Sequence, residues 1–184
     1  MLGVVIPHHS QRDALMRAAA SVGNHPLVVV DDSADGGLRL PDVEVVRTAG
    51  SQGFAHAVNR GLASLESMGC TLAMILNDDA VLDSGALDML HAAWSPTDGA
   101  LAPVLHEPSG PVYGIRVSSW GRVQLATQPG PVQALSGAAL LMRASERFDE
   151  RYRHGFEDLE LCRRLTQRGL RVRVVEDARC IHEA

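Results

Sequence analysis

Leu72-Ala73-Met74-Ile75-Leu76-Asn77-Asp78-Asp79 is five apolar residues followed by a carboxamide and two carboxylates. The apolar part is continuous rather than alternating, the pattern of a strand buried on both faces of a parallel sheet. The polar part then falls at the strand's carboxyl end, where open α/β sheets bind their ligands. Two earlier stretches have the same form: residues 2–6 run into Pro7-His8-His9-Ser10, and residues 27–30 into Asp31-Asp32-Ser33. Between these runs lie segments with helical spacing, residues 12–22 carrying Ala14, Leu15, Ala18, Ala19 and Val22, and residues 54–65 carrying Ala57, Val58, Leu62 and Leu65. Strand and helix alternate, so the expected fold is α/β, a mainly parallel central sheet flanked by helices.

Working outward, residues 43–46 read as a further strand, and Ser84 as the N-cap of a helix reaching Trp94. Residues 98–133 carry Pro103, Pro108, Pro111, Pro129 and Pro131, which break the pattern into a crossing strand and a small antiparallel or irregular addition that includes 112–117. Strands are expected at 138–142 and 171–175, with a helix over 156–168 closed by Gly169. On that helix Phe156, Leu159, Cys162 and Leu165 form the expected inner stripe, and Glu160 with Arg164 an outer i,i+4 pair. A length of 184 residues corresponds to a single domain, 1–184.

Composition narrows the function. The chain is 46% hydrophobic and 21% charged, with a net charge of −5, and all 17 of its Lys-plus-Arg cations are Arg. An acidic surface argues against nucleic-acid binding, and the absence of Lys removes Schiff-base and P-loop lysine chemistry. Cys70, Cys162 and Cys180 form no C-x-x-C pair and read as buried, reduced thiols. The N-terminal apolar run is too short for a signal peptide and no stretch is long enough to span a bilayer, so a cytoplasmic setting is expected.

The clusters after the three strands should line one crevice, where carboxylates repel unless a cation or hydrogen-bond donors compensate them. Singly, Asp-Asp-Ser and Asn-Asp-Asp also serve as turn chemistry. Neither G-x-G-x-x-G after the first strand nor G-x-x-x-x-G-K-[ST] occurs, so a nucleotide here would be held in another way. Glu157 and Asp158 fall in a helix's first turn, where they either complement the macrodipole or present a general base. His182 is either a structural imidazole or a metal ligand.

Taken in order along the chain, several stretches resemble the family 2 glycosyltransferases of the GT-A fold, and among them the rhamnosyltransferase-like branch. They are Val4-Val5-Ile6-Pro7, Val28-Val29-Val30-Asp31-Asp32-Ser33, Gly53-Phe54-Ala55-His56-Ala57-Val58-Asn59-Arg60-Gly61-Leu62, Ile75-Leu76-Asn77-Asp78-Asp79, Ser136-Gly137-Ala138-Ala139, Phe156-Glu157-Asp158-Leu159-Glu160 and Cys180-Ile181-His182. The resemblance implies a single GT-A domain, Rossmann-like, with a nucleotide-binding half at about 1–97 and an acceptor and catalytic half at about 98–184. It implies that Pro7, His9 and Asp32 meet the donor's base, that Asp78 approaches the ribose, and that Asn59 and Gly137 belong to the donor side. Asp79 and His182 would hold a divalent cation, Mn²⁺ or Mg²⁺. Asp158 would be the catalytic base, and Glu157, also of the catalytic pair, would contact the acceptor or support the site.

The implied activity is inverting transfer of a sugar from a UDP-, dTDP- or GDP-linked donor to a hydroxyl of a glycan, lipid-linked or small-molecule acceptor, in surface-polysaccharide or glycoconjugate synthesis. Peripheral attachment at the inner face of a membrane, a protein partner and a homodimer are each compatible with it. The chain ends two residues past His182, which reads as a catalytic core with little acceptor-binding extension. A non-catalytic nucleotide-sugar-binding module and a nucleotidyltransferase are the competing readings.

Overall fold

The structure is a computed structural model and describes residues 1–152 and 155–183. In chain order the first half forms β1 (Leu2–His8), α1 (Arg12–Ser21), β2 (Leu27–Asp31), β3 (Glu44–Arg47), α2 (Phe54–Ser67), β4 (Leu72–Leu76), β5 (Ala80–Leu82) and α3 (Ala86–Ala93). The second half forms β6 (Asp98–Glu107), β7 (Gly110–Val112), β8 (Ile115–Val117), β9 (Val123–Leu125), β10 (Ala139–Arg143), α4 (Glu157–Gln167) and β11 (Arg171–His182). The main sheet runs β3-β2-β1-β4-β10-β6-β11-β5, with β7 paired to β6, and β8 and β9 make a separate hairpin.

β1 lies parallel between β2 and β4, so the three apolar runs end on the same edge. Side-chain alternation sends Val4, Ile6, Met74 and Leu76 to one face, where Leu15 and Ala18 of α1 and Leu87 and Leu90 of α3 cover them. Val5, Val28, Val30, Ala73 and Ile75 face the other way, under Val58, Leu62 and Leu65 of α2. The same layer continues to Leu161, Cys162 and Leu165 of α4. Burial on both faces is why these runs do not alternate with polar residues. The three cysteines are buried and unpaired with one another. No helix of the described residues is long and apolar enough to cross a membrane.

Several expected boundaries move. The cap before α3 is Gly85 rather than Ser84, because the chain enters that helix through a left-handed residue at φ 78°. The strand expected at 112–117 is split into β7 and β8 at Gly114, where φ is 95°. The inner stripe of α4 is Leu161, Cys162 and Leu165, with Leu159 partly buried against the same cluster. Phe156 is not part of it: it sits outside the helix in a left-handed conformation, φ 70°, and is 60% exposed. Glu160 and Arg164 do pair, at 3.2 Å.

The largest departure is β11, expected to stop at Val175 but extended to His182. It follows β6 in parallel until Val175 opposes Pro103, and resumes with Arg179 opposite Val104. Glu176, Asp177 and Ala178 are therefore looped out as a bulge, which re-aims the strand. Its last residues then pair antiparallel with β5, His182 opposite Ala80.

Helix α2 packs on the sheet through Gly61. A methyl group there would overlap a Val5 methyl and lie 2.9 Å from Val30. Gly61→Ala should gain up to about 1 kcal/mol of helix propensity and lose about 1–3 kcal/mol to overpacking. A lower urea midpoint is the expected result; an unchanged or raised midpoint would mean that α2 can shift away from β1 freely.

Candidate active site

At the carboxyl ends of β1, β2 and β4 the strand-end residues enclose a cavity of about 470 Å³. Pro7, His9, Asp32, Asp78 and Asp79 line it, with Phe54 and Ala57 of α2 forming the apolar wall. The arrangement follows from the parallel register, which puts His8 opposite Asp31 and so brings the two polar clusters side by side.

The adjacent carboxylates of β2 do different work. Asp31 is buried beneath the edge, accepting from the Ser33 N–H and hydroxyl, from the Leu38 N–H at 3.2 Å and from Arg47 at 3.4 Å. Burial alone would push its carboxyl up, but these donors together hold it below the usual range. It ties the loop after β2 in place. Asp32 turns to the cavity, its Oδ1 accepting from Thr48 and the Gln52 N–H, and its Oδ2 from the Gly53 N–H at 3.0 Å. A carboxylate oxygen has two acceptor positions, so Oδ2 keeps one for a ligand N–H.

After β4, Asp78 is held by His8, whose Nδ1 lies 2.8 Å from Asp78 Oδ2. Asp79 faces the end of β11, with its Oδ1 3.4 Å from His182 Nε2, while Glu107 at the end of β6 lies 3.5 Å from His182 Nδ1. The imidazole holds the Asp79 carboxyl below its usual range against the effect of burial, and Asp79 in turn raises His182. Asp79 Oδ1 and His182 Nδ1 are both buried and make no well-aligned hydrogen bond. Buried polar atoms left in that condition are costly, and a carboxylate converging with an imidazole suits a divalent transition-metal ion. No group of three His, Cys, Asp or Glu side chains forms a metal site among the described residues. This pair could therefore contribute only two ligands, the others coming from substrate oxygens and water.

Asp158 lies in the first turn of α4, where its carboxylate accepts from the Gly137 N–H at 3.2 Å and the Leu159 N–H at 2.7 Å. Burial pushes this carboxyl up, and the N–H groups only partly pull it back. Gly137 connects the two parts of the site: a side chain on it would lie 3.2 Å from the Phe54 ring and 3.8 Å from the Asp158 Cβ. Phe54 lines the cavity and Asp158 does not, and Gly137 lies between the two. Glu157 is half-buried at the start of the same helix.

One residue expected on the donor side is placed elsewhere. Asn59 donates to the Phe148 carbonyl and to Glu150, and accepts from the Phe148 N–H, all at 2.9 Å. Its carboxamide clamps the segment after β10 onto α2 and does not line the cavity, because residue 59 falls on the helix face turned towards that segment. Two residues without an expected role contribute instead. His8 was visible in the sequence as part of a polar cluster; nothing in the sequence pointed to Glu107, which reaches His182 only through the β6–β11 pairing.

The chain is similar to the N-acetylglucosaminyl-diphospho-decaprenol L-rhamnosyltransferase of two Mycobacterium tuberculosis strains, CDC 1551 / Oshkosh and H37Rv, at 29% identity. The match takes in 78% of this chain and 60% of those relatives, so the chain spans under two thirds of the curated proteins it matches. Among solved structures, GalNAc-T7 with UDP, GalNAc and Mn²⁺ aligns over all of this chain and 44% of its own, with a TM-score of 0.78 and 16% identity. TarS of S. aureus, residues 1–349, aligns over 99% of this chain and 60% of its own, with a TM-score of 0.70 and 14% identity. The same protein has been solved with UDP and with UDP-GlcNAc. No family model matches the chain.

The raised Asp158 carboxyl carries a stability consequence. Between the unfolded-state value and the raised folded-state value, the unfolded chain has released this proton and the native protein has not, so stability falls as pH rises through that window. Asp158→Asn removes this term. Urea unfolding of both proteins between pH 4 and pH 7 (about the span from a free carboxylate upward) should show the variant gaining on the wild type as pH rises. A constant difference between the two proteins over that window would mean that Asp158 ionises in the native state at no cost, and a variant that loses ground would mean that the native state favours the ionised form.

Proposed function

We propose that this chain, whose fold is the GT-A fold of the family 2 glycosyltransferases it resembles, is the donor-binding and catalytic core of a glycosyltransferase using a nucleotide-sugar. The observation that carries the proposal is the pairing of two unlike parts. A carboxylate-lined cavity lies at the parallel strand ends, and a half-buried carboxylate with a raised pKa lies beyond Phe54, across Gly137. The names of the relatives and neighbours agree with such a donor, since they include a rhamnosyltransferase and structures with UDP or UDP-GlcNAc.

In this reading residues 1–97 are the nucleotide side and residues 98–184 the acceptor and catalytic side. Pro7 and His9 take the faces of the base. Asp32 offers Oδ2 to a ring N–H, which uracil, thymine and guanine all carry. Asp78, oriented by His8, meets the ribose hydroxyls. Asp79 and His182 are the residues to hold Mn²⁺ or Mg²⁺, and a bound cation would offset the charge of the leaving diphosphate.

An acceptor hydroxyl is too weakly acidic to attack unaided. Asp158 takes its proton as the oxygen forms a bond to the anomeric carbon, the bond from that carbon to the diphosphate oxygen breaks, and the configuration inverts. A carboxyl held above the usual range is a stronger base than an exposed one, and the N–H groups of Gly137 and Leu159 fix its orientation. Glu157, next to it, contacts the acceptor or supports the site in this reading.

Calorimetry with UDP-, dTDP- and GDP-sugars, with and without Mn²⁺, tests the donor site. Binding of one base class, strengthened by the cation and weakened by Asp79→Asn or by EDTA, is expected; no binding of any donor overturns the proposal. Asp158→Asn should lower transfer by about 10²–10⁴-fold while leaving donor affinity unchanged. Donor binding without transfer or hydrolysis by the wild type would leave a binding module in place of an enzyme. An acidic limb in the pH–rate profile above the normal carboxylate range, lost in Asp158→Asn, is the signature of the raised base.

A further inference from the structure

His56 and Asn59 are one helical turn apart on α2, so both side chains reach the segment that leaves β10. A carboxamide carries two N–H donors and a carbonyl acceptor, and Asn59 uses both kinds. It accepts from the Phe148 N–H and donates to the Phe148 carbonyl and to Glu150, each at 2.9 Å. His56 meets the other Glu150 oxygen at 3.0 Å. Asn59, and after it His56, hold the Glu150 carboxyl below its usual range.

Bonding both backbone groups of one residue fixes the peptide planes on either side of it, and with them the direction in which its side chain leaves. The Phe148 side chain goes into the core, where the residue is 3% exposed. Its ring meets that of Phe54 edge to face, with centroids 5.6 Å apart and planes at 86°, an arrangement aromatic pairs favour. Phe54 is the first residue of α2 and is only partly buried. A helical side chain normally rests on the turn before it, and Phe54 has no such turn, so its ring takes its place from Phe148 and from Gly137. That ring lines the donor cavity, and Gly137 beside it donates its N–H to Asp158. Gly53, just before Phe54, donates its N–H to Asp32.

We propose that Asn59 is a positioning residue of the transfer reaction: it brackets Phe148, Phe148 holds Phe54, and Phe54 is the wall shared by the donor cavity and the Gly137 arm of Asp158. The inference rests on the glycosyltransferase reading and gives Asn59, which does not line the cavity, a share in donor binding. A tie that served only to fasten the chain to α2 could end at Glu150, which is exposed. Instead two of the three Asn59 bonds go to Phe148, the buried residue whose ring touches the cavity wall.

The test uses the full chain and whichever of UDP, dTDP and GDP the wild type binds in calorimetry. Asn59→Ala and Phe148→Leu should each weaken that nucleotide about 3- to 10-fold, the equivalent of one edge-to-face ring contact. The double variant should bind no more weakly than the worse single one, because both act through the same ring. Glu150→Ala, which leaves both bonds to Phe148, should bind as the wild type does. The chain has 3 phenylalanines, Phe54, Phe148 and Phe156, so labelling their rings with ¹³C gives an NMR readout of the wall. The Phe54 and Phe148 signals should lie apart from that of Phe156, which is 60% exposed, and Asn59→Ala should move both towards it. A lower urea midpoint with unchanged ring signals and unchanged nucleotide affinity would make Asn59 structural only, and overturns the inference. So do fully additive losses in the double variant, or a loss in Glu150→Ala as large as in Asn59→Ala. Should Asn59→Ala fail to fold, unchanged nucleotide affinity in Phe148→Leu overturns it alone. Binding of no nucleotide by the wild type would instead count against the glycosyltransferase reading, while the ring signals still show whether Asn59 sets the place of Phe54.

Discussion

β1 and β4 have no exposed face. Val4, Val5, Ile6, Met74, Ile75 and Leu76 are all fully buried, and the architecture follows from that single condition. A sheet covered on both sides needs helices on both sides, supplied here by α1 and α3 on one and α2 and α4 on the other. Its polar residues are then left only the strand ends, and because β1, β2 and β4 are parallel those ends coincide. The site is thus where the sheet stops being able to bury its side chains. Gly61 shows how tightly the condition is applied, since not even a methyl group fits between α2 and β1.

The acids around the cavity differ by environment rather than by type. Asp31 and Asp79 are each held below the usual carboxylate range, the first by Ser33, Leu38 and Arg47, the second chiefly by the His182 imidazole. Asp158 is pushed the other way by burial in a site that offers it only N–H groups. Groups with opposite displacements in one place divide naturally between charge binding and proton transfer. Asp31 is the exception, because its donors are Ser33 and Leu38 of the following loop and Arg47 of β3, and it does not line the cavity.

Most of the first half was legible in the sequence. Strands at 2–6, 27–30 and 72–76 appear with one or two residues added at most, because a doubly buried strand has a pattern that little else produces. The second half was harder. Prolines and short pieces hid β7, β8 and β9, and Phe156 was read as core because spacing alone cannot show that the residue before a helix turns left-handed. Asn59 was assigned to the donor through its motif, whereas its carboxamide is occupied by Phe148 and Glu150, about ninety residues away in the chain.

From the sequence alone came the layered α/β fold, the strand-end carboxylates and the family resemblance, since each depends on residues close together or on their order along the chain. Only the tertiary structure decided that Glu107 joins His182 beside Asp79, that Gly137 links Phe54 to Asp158, and that α4 carries an open groove on its outer side. The first depends on a bulge in β11 and on strand pairing across a hundred residues of chain, which no local spacing records. Local patterns report what a residue needs to bury; which distant group it then meets is a property of the packed chain.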